Sequence, residues 1–431
     1  MAEEVTRATS APPPAVSART RSREELADYL LDIGATLAAY GCPSYRLEDV
    51  IRLVADVEGF RAEPFALPTG LFLRVLPKDE SEGHVPEVHR MTRLKDWGVD
   101  LDRLTMVDAI FNDVALRRAT IEQARARIRE VVRRPPFWSP ALVWAATTVA
   151  AGAAAVFFRG GLVDVLVASV VGAAIGGSRV VLDRNPAHRL LSEFMGGLFA
   201  AVCAWLATRA WPSASRDVIV LAGAISLFPG MTFTTGLAEV AQKHLVSGGA
   251  RLMESAVTLL LILFGVALVA GFEKVAGVPV HVANVERVGL GLPYQALALV
   301  LSSMAFAVLF QVPRRYLWAA LVSGATGYTV TSLASRYLPQ APHVAAFCAA
   351  LAVCMLANIL ARVTDRPTQL FQLPGMIILV PGSFGFVSLG QMLAKNPEAG
   401  VQEGFTMALV GAALVIGVLV ANVILPPRKL L

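Results

Sequence analysis

The sequence predicts a mainly α-helical membrane protein, with about ten transmembrane helices in two inverted five-helix repeats and a small soluble α+β N-terminal domain. Three observations predict it. Residues 1–139 hold 20 Lys/Arg and 22 Asp/Glu, whereas residues 140–431 hold only 18 and 11. The second part divides into apolar stretches of roughly 17–25 residues, the length that crosses a bilayer. A Leu-x-Pro-Gly element at 227–230 recurs at 379–382, 152 residues on.

The whole chain is 55% hydrophobic and 16% charged, against about 25% charged in an ordinary soluble domain. That excludes a wholly soluble enzyme and a secreted disulfide scaffold. The net charge of +5 does not argue for nucleic acid, because the soluble part is net negative and the positive excess lies among the membrane spans. The four cysteines, Cys42, Cys203, Cys348 and Cys354, have no CxxC spacing and read as small core residues.

The expected boundaries are a disordered tail at 1–21, a cytoplasmic α+β domain at 22–136, a first membrane repeat at 137–272, a linker at 273–289 and a second repeat at 290–431. The tail is rich in Pro, Ala, Ser and Arg and lacks the apolar core of a signal peptide. Ser22-Arg-Glu-Glu25 is a capping box that opens a helix with Leu26, Tyr29, Leu30, Ile33 and Leu37 at helical spacing; Gly41 stops it. A second helix follows Pro43-Ser44, with Leu47, Val50, Ile51 and Val54 on one face. Strand-like runs come at Pro64–Leu67 and Leu71–Leu76 about the turn Pro68-Thr69-Gly70, and a weaker one at Val85–Met91 after the acidic turn Lys78–Glu82. Thr120-Ile-Glu-Gln123 opens a basic helix that Pro135-Pro136 breaks. His84 and His89 would fall on opposite faces of a strand. Asp100, Asp102 and Asp108 are either metal ligands or, as the better reading, a solvated loop. No GxSxG, Walker A, HExxH or GxGxxG occurs, so no cofactor is expected and nothing asks for an enzyme; a membrane-anchored enzyme with a catalytic N-terminal domain is the alternative.

The spans are drawn at 140–158, 161–178, 190–210, 217–229, 250–271, 290–311, 316–333, 343–361, 371–389 and 402–425. The fourth and ninth carry the Pro-Gly elements and are short or interrupted. The same 152-residue shift maps Val170-x-Gly172-Ala173 onto Val322-x-Gly324-Ala325, and Gly265-Val266 onto Gly417-Val418. Five spans per half would invert the second half relative to the first, and matched broken helices in inverted repeats mark secondary transporters. With the N-terminal domain inside, eleven loop Lys/Arg are cytoplasmic (Arg184, Arg189, Arg428 and Lys429 among them) and seven are outside, including Arg159 and Arg287. Both termini are therefore expected in the cytoplasm.

A Pro-Gly break frees backbone groups that hydrocarbon cannot satisfy, so it survives only against protein or a watery cavity. Pro229, Gly230, Pro381 and Gly382 are therefore candidate substrate-binding residues; a kink satisfied by its neighbours is the plain alternative. The polar stretch after the first break adds Thr234, Glu239, Arg251 and Glu254, which could take a substrate's ammonium and carboxylate. Glu239 could also carry a coupling proton. Arg251 could instead be an anchor paired with an acid. Thr326, Asn358 and Ser383 in the second half are candidates too, with interhelical hydrogen bonds as their alternative. Asp164 and Glu193 are membrane acids and suspects on that ground.

Gly41-Cys-Pro-Ser-Tyr-Arg46-Leu-Glu48, Pro68-Thr-Gly-Leu-Phe72 and Ser247-Gly-Gly-Ala-Arg251-Leu, together with the Pro-Gly breaks, resemble the bacterial threonine/serine exporter family. Cys42 stands where that pattern has a small residue such as Ala. The resemblance implies export of small hydroxy amino acids across a bacterial inner membrane, driven by proton antiport. In some relatives the two parts are separate subunits linked to dicarboxylate export. It also implies a small-molecule substrate, protons and the lipid bilayer as partners, with a second copy of the chain as a further candidate, and neither nucleic acid nor a cofactor.

Overall fold

The computed structural model describes residues 23–78, 87–94, 98–182, 191–276 and 289–427. Expectations for the tail 1–21, Ser22, Asp79–Glu82, His84, Arg184, Arg189, Arg287, Arg428, Lys429 and most of the 273–289 linker lie outside these residues. The chain divides into two units, one of Met1–Gly98 with Arg103–Pro135 and one of Val99–Asp102 with Pro136–Leu431.

In the first unit, α1 (Arg23–Ala39) buries Leu26, Tyr29, Leu30, Ile33 and Leu37, the stripe its spacing predicts. Burial raises the Tyr29 phenol above its ordinary range. Gly41, at φ +92°, turns the chain left-handed after α1, and the Cys42 amide donates to Leu37 O at 3.0 Å; such a closure favours glycine. In α2 (Ser44–Val57) the apolar face Leu47, Val50, Ile51 and Val54 is buried. Glu48, also buried, accepts the Ala66 amide of the first strand at 3.0 Å and pairs with Arg52 at 2.6 Å. That bond ties helix to sheet and gives the Gly41–Glu48 motif a structural role.

The sheet is antiparallel, in the order β1 (Phe60–Leu67), β2 (Gly70–Pro77), β3 (Val88–Arg93). All three strands differ from the bounds read in sequence, the first starting four residues earlier. Ala62, Ala66, Leu71, Leu73 and Val75 are buried. Phe65, Phe72 and Met91 face out in one cross-strand row. Beside that row the Arg74 guanidinium holds the Glu87 carboxyl below the usual carboxylate range through hydrogen bonding.

A helix, α3 (Leu101–Ala115), replaces the solvated loop expected around Asp100–Asp108; Asp102 and Asp108 are buried in it. Leu104, Val107, Phe111 and Val114 supply a helical apolar stripe that reading the acids one by one concealed. Gln123 and Thr120 make the expected reciprocal cap of α4 (Ile121–Arg133).

Among its described residues the second unit contains helices and connecting turns and no strand. It contains α5 (Pro140–Phe157), α6 (Leu162–Leu182), α7 (Ser192–Ala210), α8 (Arg216–Gly223), α9 (Gly230–Ala241) and α10 (Leu245–Val275), then α11 (Leu292–Leu309), α12 (Leu317–Tyr337), α13 (Pro342–Thr364), α14 (Gln369–Met376), α15 (Gly382–Leu393) and α16 (Pro397–Ile424). Six described helices are long and apolar enough to cross a membrane: α5, α6, α10, α11, α13 and α16. A seventh span is added if α8 and α9, bent by 45°, count as one. The ten drawn from sequence also included α7 and α12, which fall outside that set, and the stretch 371–389, which is two short helices with Pro374 inside the first. None of the four cysteines is disulfide-bonded.

The 152-residue shift recurs in detail. It carries α5 onto α11 and α9 onto α15 end for end. It carries the left-handed residues Arg159 and Lys243 (φ +59° and +70°) onto Gln311 and Lys395 (φ +56° and +61°). Gly172, set against Ala151, maps onto Gly324, set against Ser303; Gly223 on Val171 maps onto Gly375 on Ser323. The two members α5 and α11 run antiparallel: Ala146 and Ala150 cluster with Ala305 and Leu309, while Ala153 and Val156 cluster with Ala298 and Leu290.

Candidate functional site

The two Pro-Gly breaks meet. Pro229 and Pro381 precede α9 and α15 in nearly the same conformation, at φ −81°, ψ 35° and φ −83°, ψ 26°. A Cβ on Gly382 would lie 3.4 Å from the Gly230 backbone, and one on Gly230 would overlap Val380. At Gly230 a side chain would displace Val380 and crowd the Gly382 backbone, so the missing Cβ there lets the two segments approach. Neither helix start has a side-chain cap or an acid in its first turn, so the amides of the first turn have no acceptor in their own helix.

A cavity of about 420 Å³ borders this junction, within the usual range for small-ligand sites. Its floor is made by Phe228, Gly230, Val380, Gly382 and Ser383 at the breaks. Its walls come from Ala150, Phe157, Phe158 and Arg159 of α5 and its end, Gln295, Ser302 and Phe306 of α11, and Tyr328, Thr331 and Ser332 of α12. Arg159 and Gln295 place the cavity toward the end where α5 finishes and α11 begins. There the Tyr328 hydroxyl donates to Gln295 Oε1 at 3.0 Å, and the Phe157 and Tyr328 rings sit 5.5 Å apart. At the other end of α5 the chain is clasped: Trp138 donates from Nε1 to Val312 O and from its amide to Gln311 Oε1, both at 2.8 Å, under the Arg314 guanidinium.

Of the residues singled out from sequence, Gly230, Gly382 and Ser383 line the cavity, and Pro229 and Pro381 adjoin it. The others lie away from its lining. Thr234 bonds back to Gly230 O within α9. Glu239 is fully buried; its carboxylate accepts from Ser247 Oγ at 2.6 Å and pairs with Arg251 at 3.2 Å. Arg251 therefore has an acid of α9 as a partner. Glu254 is half-buried on α10, and Thr326 bonds back to Val322 O. Asn358 donates to Asn422 Oδ1 and Leu425 O, an interhelical role. Asp164 accepts the Gly161 and Ser215 amides at 2.8 and 2.6 Å and so holds two chain turns.

Sequence reading missed Gln295, Tyr328 and the aromatic walls. Rings in an apolar span look like lipid-facing residues, and Arg159 was counted only as an outer-loop charge. Among the described residues no cluster of His, Cys, Asp and Glu could hold a metal ion.

Long apolar helices around two abutting helix breaks and a cavity define a multi-pass membrane protein with the build of a transporter. Comparison with known proteins agrees: two profiles described as threonine/serine exporter match residues 28–272 and 295–424. The chain belongs to the threonine/serine exporter family. Its curated relatives include an uncharacterised protein of Schizosaccharomyces pombe, 24% identical over 96% of this chain and 52% of that protein. Others are the pheromone-regulated membrane protein 10 of Yarrowia lipolytica (21% identical, 85% of this chain, 30% of that protein) and of Saccharomyces cerevisiae (20%, 93% and 54%). These relatives are fungal, and the chain spans about half the length of the first of them. No solved structure matches it.

Proposed function

We propose that the protein is a secondary active transporter that exports threonine, serine and similar small amino acids from the cytoplasm, and that it is not an enzyme. It works by alternating access between two inverted five-helix repeats, 137–272 and 290–431, and lies in the plasma membrane (the inner membrane of a bacterial cell) with both termini cytoplasmic. The observation that carries this reading is the meeting of the Gly230 and Gly382 breaks at one cavity. The antiparallel run of α5 and α11 and the shared 152-residue register support the inversion. Substrate sits on the breaks, at Gly230, Gly382 and Ser383.

Proton antiport is assigned to Glu239. It lies nine residues into α9, roughly 13 Å along the axis from the break, so it acts on the substrate through the position of α9. Protonation would release Arg251 and Ser247, which now hold the carboxylate.

Counterflow in proteoliposomes tests the reading. Vesicles loaded with unlabelled threonine should accumulate labelled threonine or serine; accumulation of a dicarboxylate instead would assign the transporter to that substrate class. Loss of pH-gradient-driven flux in Glu239→Gln, with counterflow retained, is the expected signature of the coupling acid. Undiminished gradient-driven flux would remove Glu239 from that role.

A further inference from the structure

We infer that the open face of the β-sheet docks against the same face of a second copy of this chain, about a two-fold axis that runs along the row Phe65, Phe72 and Met91. The inference is independent of the transport reading.

An antiparallel sheet with one face on the core ordinarily turns polar residues outward on the other. Here α1 and α2 pack on one face, where Ala62, Ala66, Leu71, Leu73 and Val75 are buried. The other face carries three large apolar side chains on three adjacent strands, directly in register. They are between 42% and 69% exposed, and the Phe65 and Phe72 ring centroids lie 6.3 Å apart. Single exposed apolar residues are ordinary, whereas a contiguous patch with a polar rim marks an interaction surface.

The rim indicates the partner. Two residues along the strands, roughly 7 Å away, the row is flanked on one side by Glu63, Arg74 and His89 and on the other by Leu67, Gly70 and Arg93. On the first flank Arg74 lies between two acids, Glu63 at 3.1 Å and Glu87 at 2.9 Å. The Glu87 carboxylate also bonds His89 at 3.2 Å, which places it over this flank. Two acids against one arginine leave the first flank negative, and Arg93 makes the opposite flank positive. A two-fold axis along the apolar row lays the negative flank of each copy over the positive flank of the other, so Arg93 of each copy meets Glu87 of the other. An axis along the strands would instead bring the two Arg74 side chains together, an unfavourable pairing. Opposite charges on the two sides of one apolar row are what an isologous contact requires; an anionic lipid surface would draw on positive charge alone. Three short strands offer less than the roughly 800 Å² per partner of a tight soluble dimer. The contact is therefore weak in free solution and is best read in the membrane, where copies share a plane.

The test is oxidative cross-linking of the full-length chain in the membranes of expressing cells. Met91→Cys should cross-link to its own kind well above the parent chain, which has only the four native cysteines. It should also exceed Arg61→Cys, which is exposed on the same face but lies two rows from the axis. Arg93→Glu and Glu87→Arg, each added to Met91→Cys, oppose like charges and should each lower the cross-linked fraction about tenfold. Co-expressed, the two variant chains re-form both charge pairs in a mixed dimer and should recover most of that loss. Met91→Cys cross-linking no better than Arg61→Cys, an unchanged fraction in either charge variant, or no recovery on co-expression would each overturn the inference. Protection of Met91→Cys from a soluble maleimide without cross-linking would mean that lipid or another protein covers the face, and would overturn it as well.

Discussion

The helix pair α5–α6 and its counterpart α11–α12 share a backbone plan and differ in how closely they lie. In the first pair Gly172 and Gly176 receive Ala151, Thr147 and Trp144, and Trp144 Nε1 donates to Ala173 O at 2.7 Å. In the second, Ser303 meets Gly324, and beyond that point Thr331 and Ser332 line the cavity while the Tyr328 hydroxyl reaches across it to Gln295 of α11. The residues 152 positions from Trp144 and Gly176 are Ala296 and Tyr328, so bulk and space exchange places between the pairs. Charge is as unequal. The first half holds the Asp164 turns and the Arg216–Glu273 and Glu239–Arg251 pairs; the matching residues are Tyr316, Thr368, Leu425, Gln391 and Glu403. A common scaffold thus carries these ionic contacts in its first half and none at the matching positions of its second.

Substitutions at three places break or sharpen that contrast. The largest effect is expected at the junction both halves share. Gly230→Val would drive a branched side chain into Val380 and the Gly382 backbone and should abolish counterflow while lowering the melting temperature by several degrees; Gly249→Ala, where a Cβ meets nothing within 4 Å, is the control that should do neither. Next, Asp164→Ala orphans two amide donors, which should cost about 3 kcal/mol in denaturant titration, with a smaller loss for Tyr316→Phe in the second half. An equal loss at both sites would remove the ionic asymmetry. The smallest effect is Trp138→Phe, which deletes the donor to Val312 O at a cost of about 1 kcal/mol. Its clearer readout is maleimide labelling of Val143→Cys, whose position is 152 residues before Gln295 of the cavity wall. Labelling should rise when the clasp is weakened, and unchanged labelling would mean that the clasp does not govern that end.

Much of this architecture was legible in the sequence because membrane helices carry simple signals. Apolar runs placed α5, α10, α11, α13 and α16 within a few residues of their ends, apart from the five that α10 and α16 extend upstream. The Pro-Gly register found the junction because helix breaks need unusual residues. The candidate site was only half legible. Backbone-forming residues, Gly230 and Gly382, advertise themselves, and Ser383 follows from its neighbour. Gln295 and Tyr328 gain their meaning from the splay of α11 and α12, a tertiary fact with no local signature. Glu239 draws attention as a membrane acid, and its carboxylate is bonded to a hydroxyl and a guanidinium of the next helix. In the first unit the error ran the other way: reading the acids of α3 singly passes over the apolar stripe between them.

The mutual fit of Gly230 and Gly382 also bears on redesign. A Cβ on Gly230 would run into the Val380 side chain and press on the Gly382 backbone, and one on Gly382 would press on Phe228, so libraries that vary Gly230 carry a packing cost. New selectivity is better sought in Ser302, Phe306, Thr331 and Ser332, where side-chain volume can be exchanged across the hollow without moving either helix start.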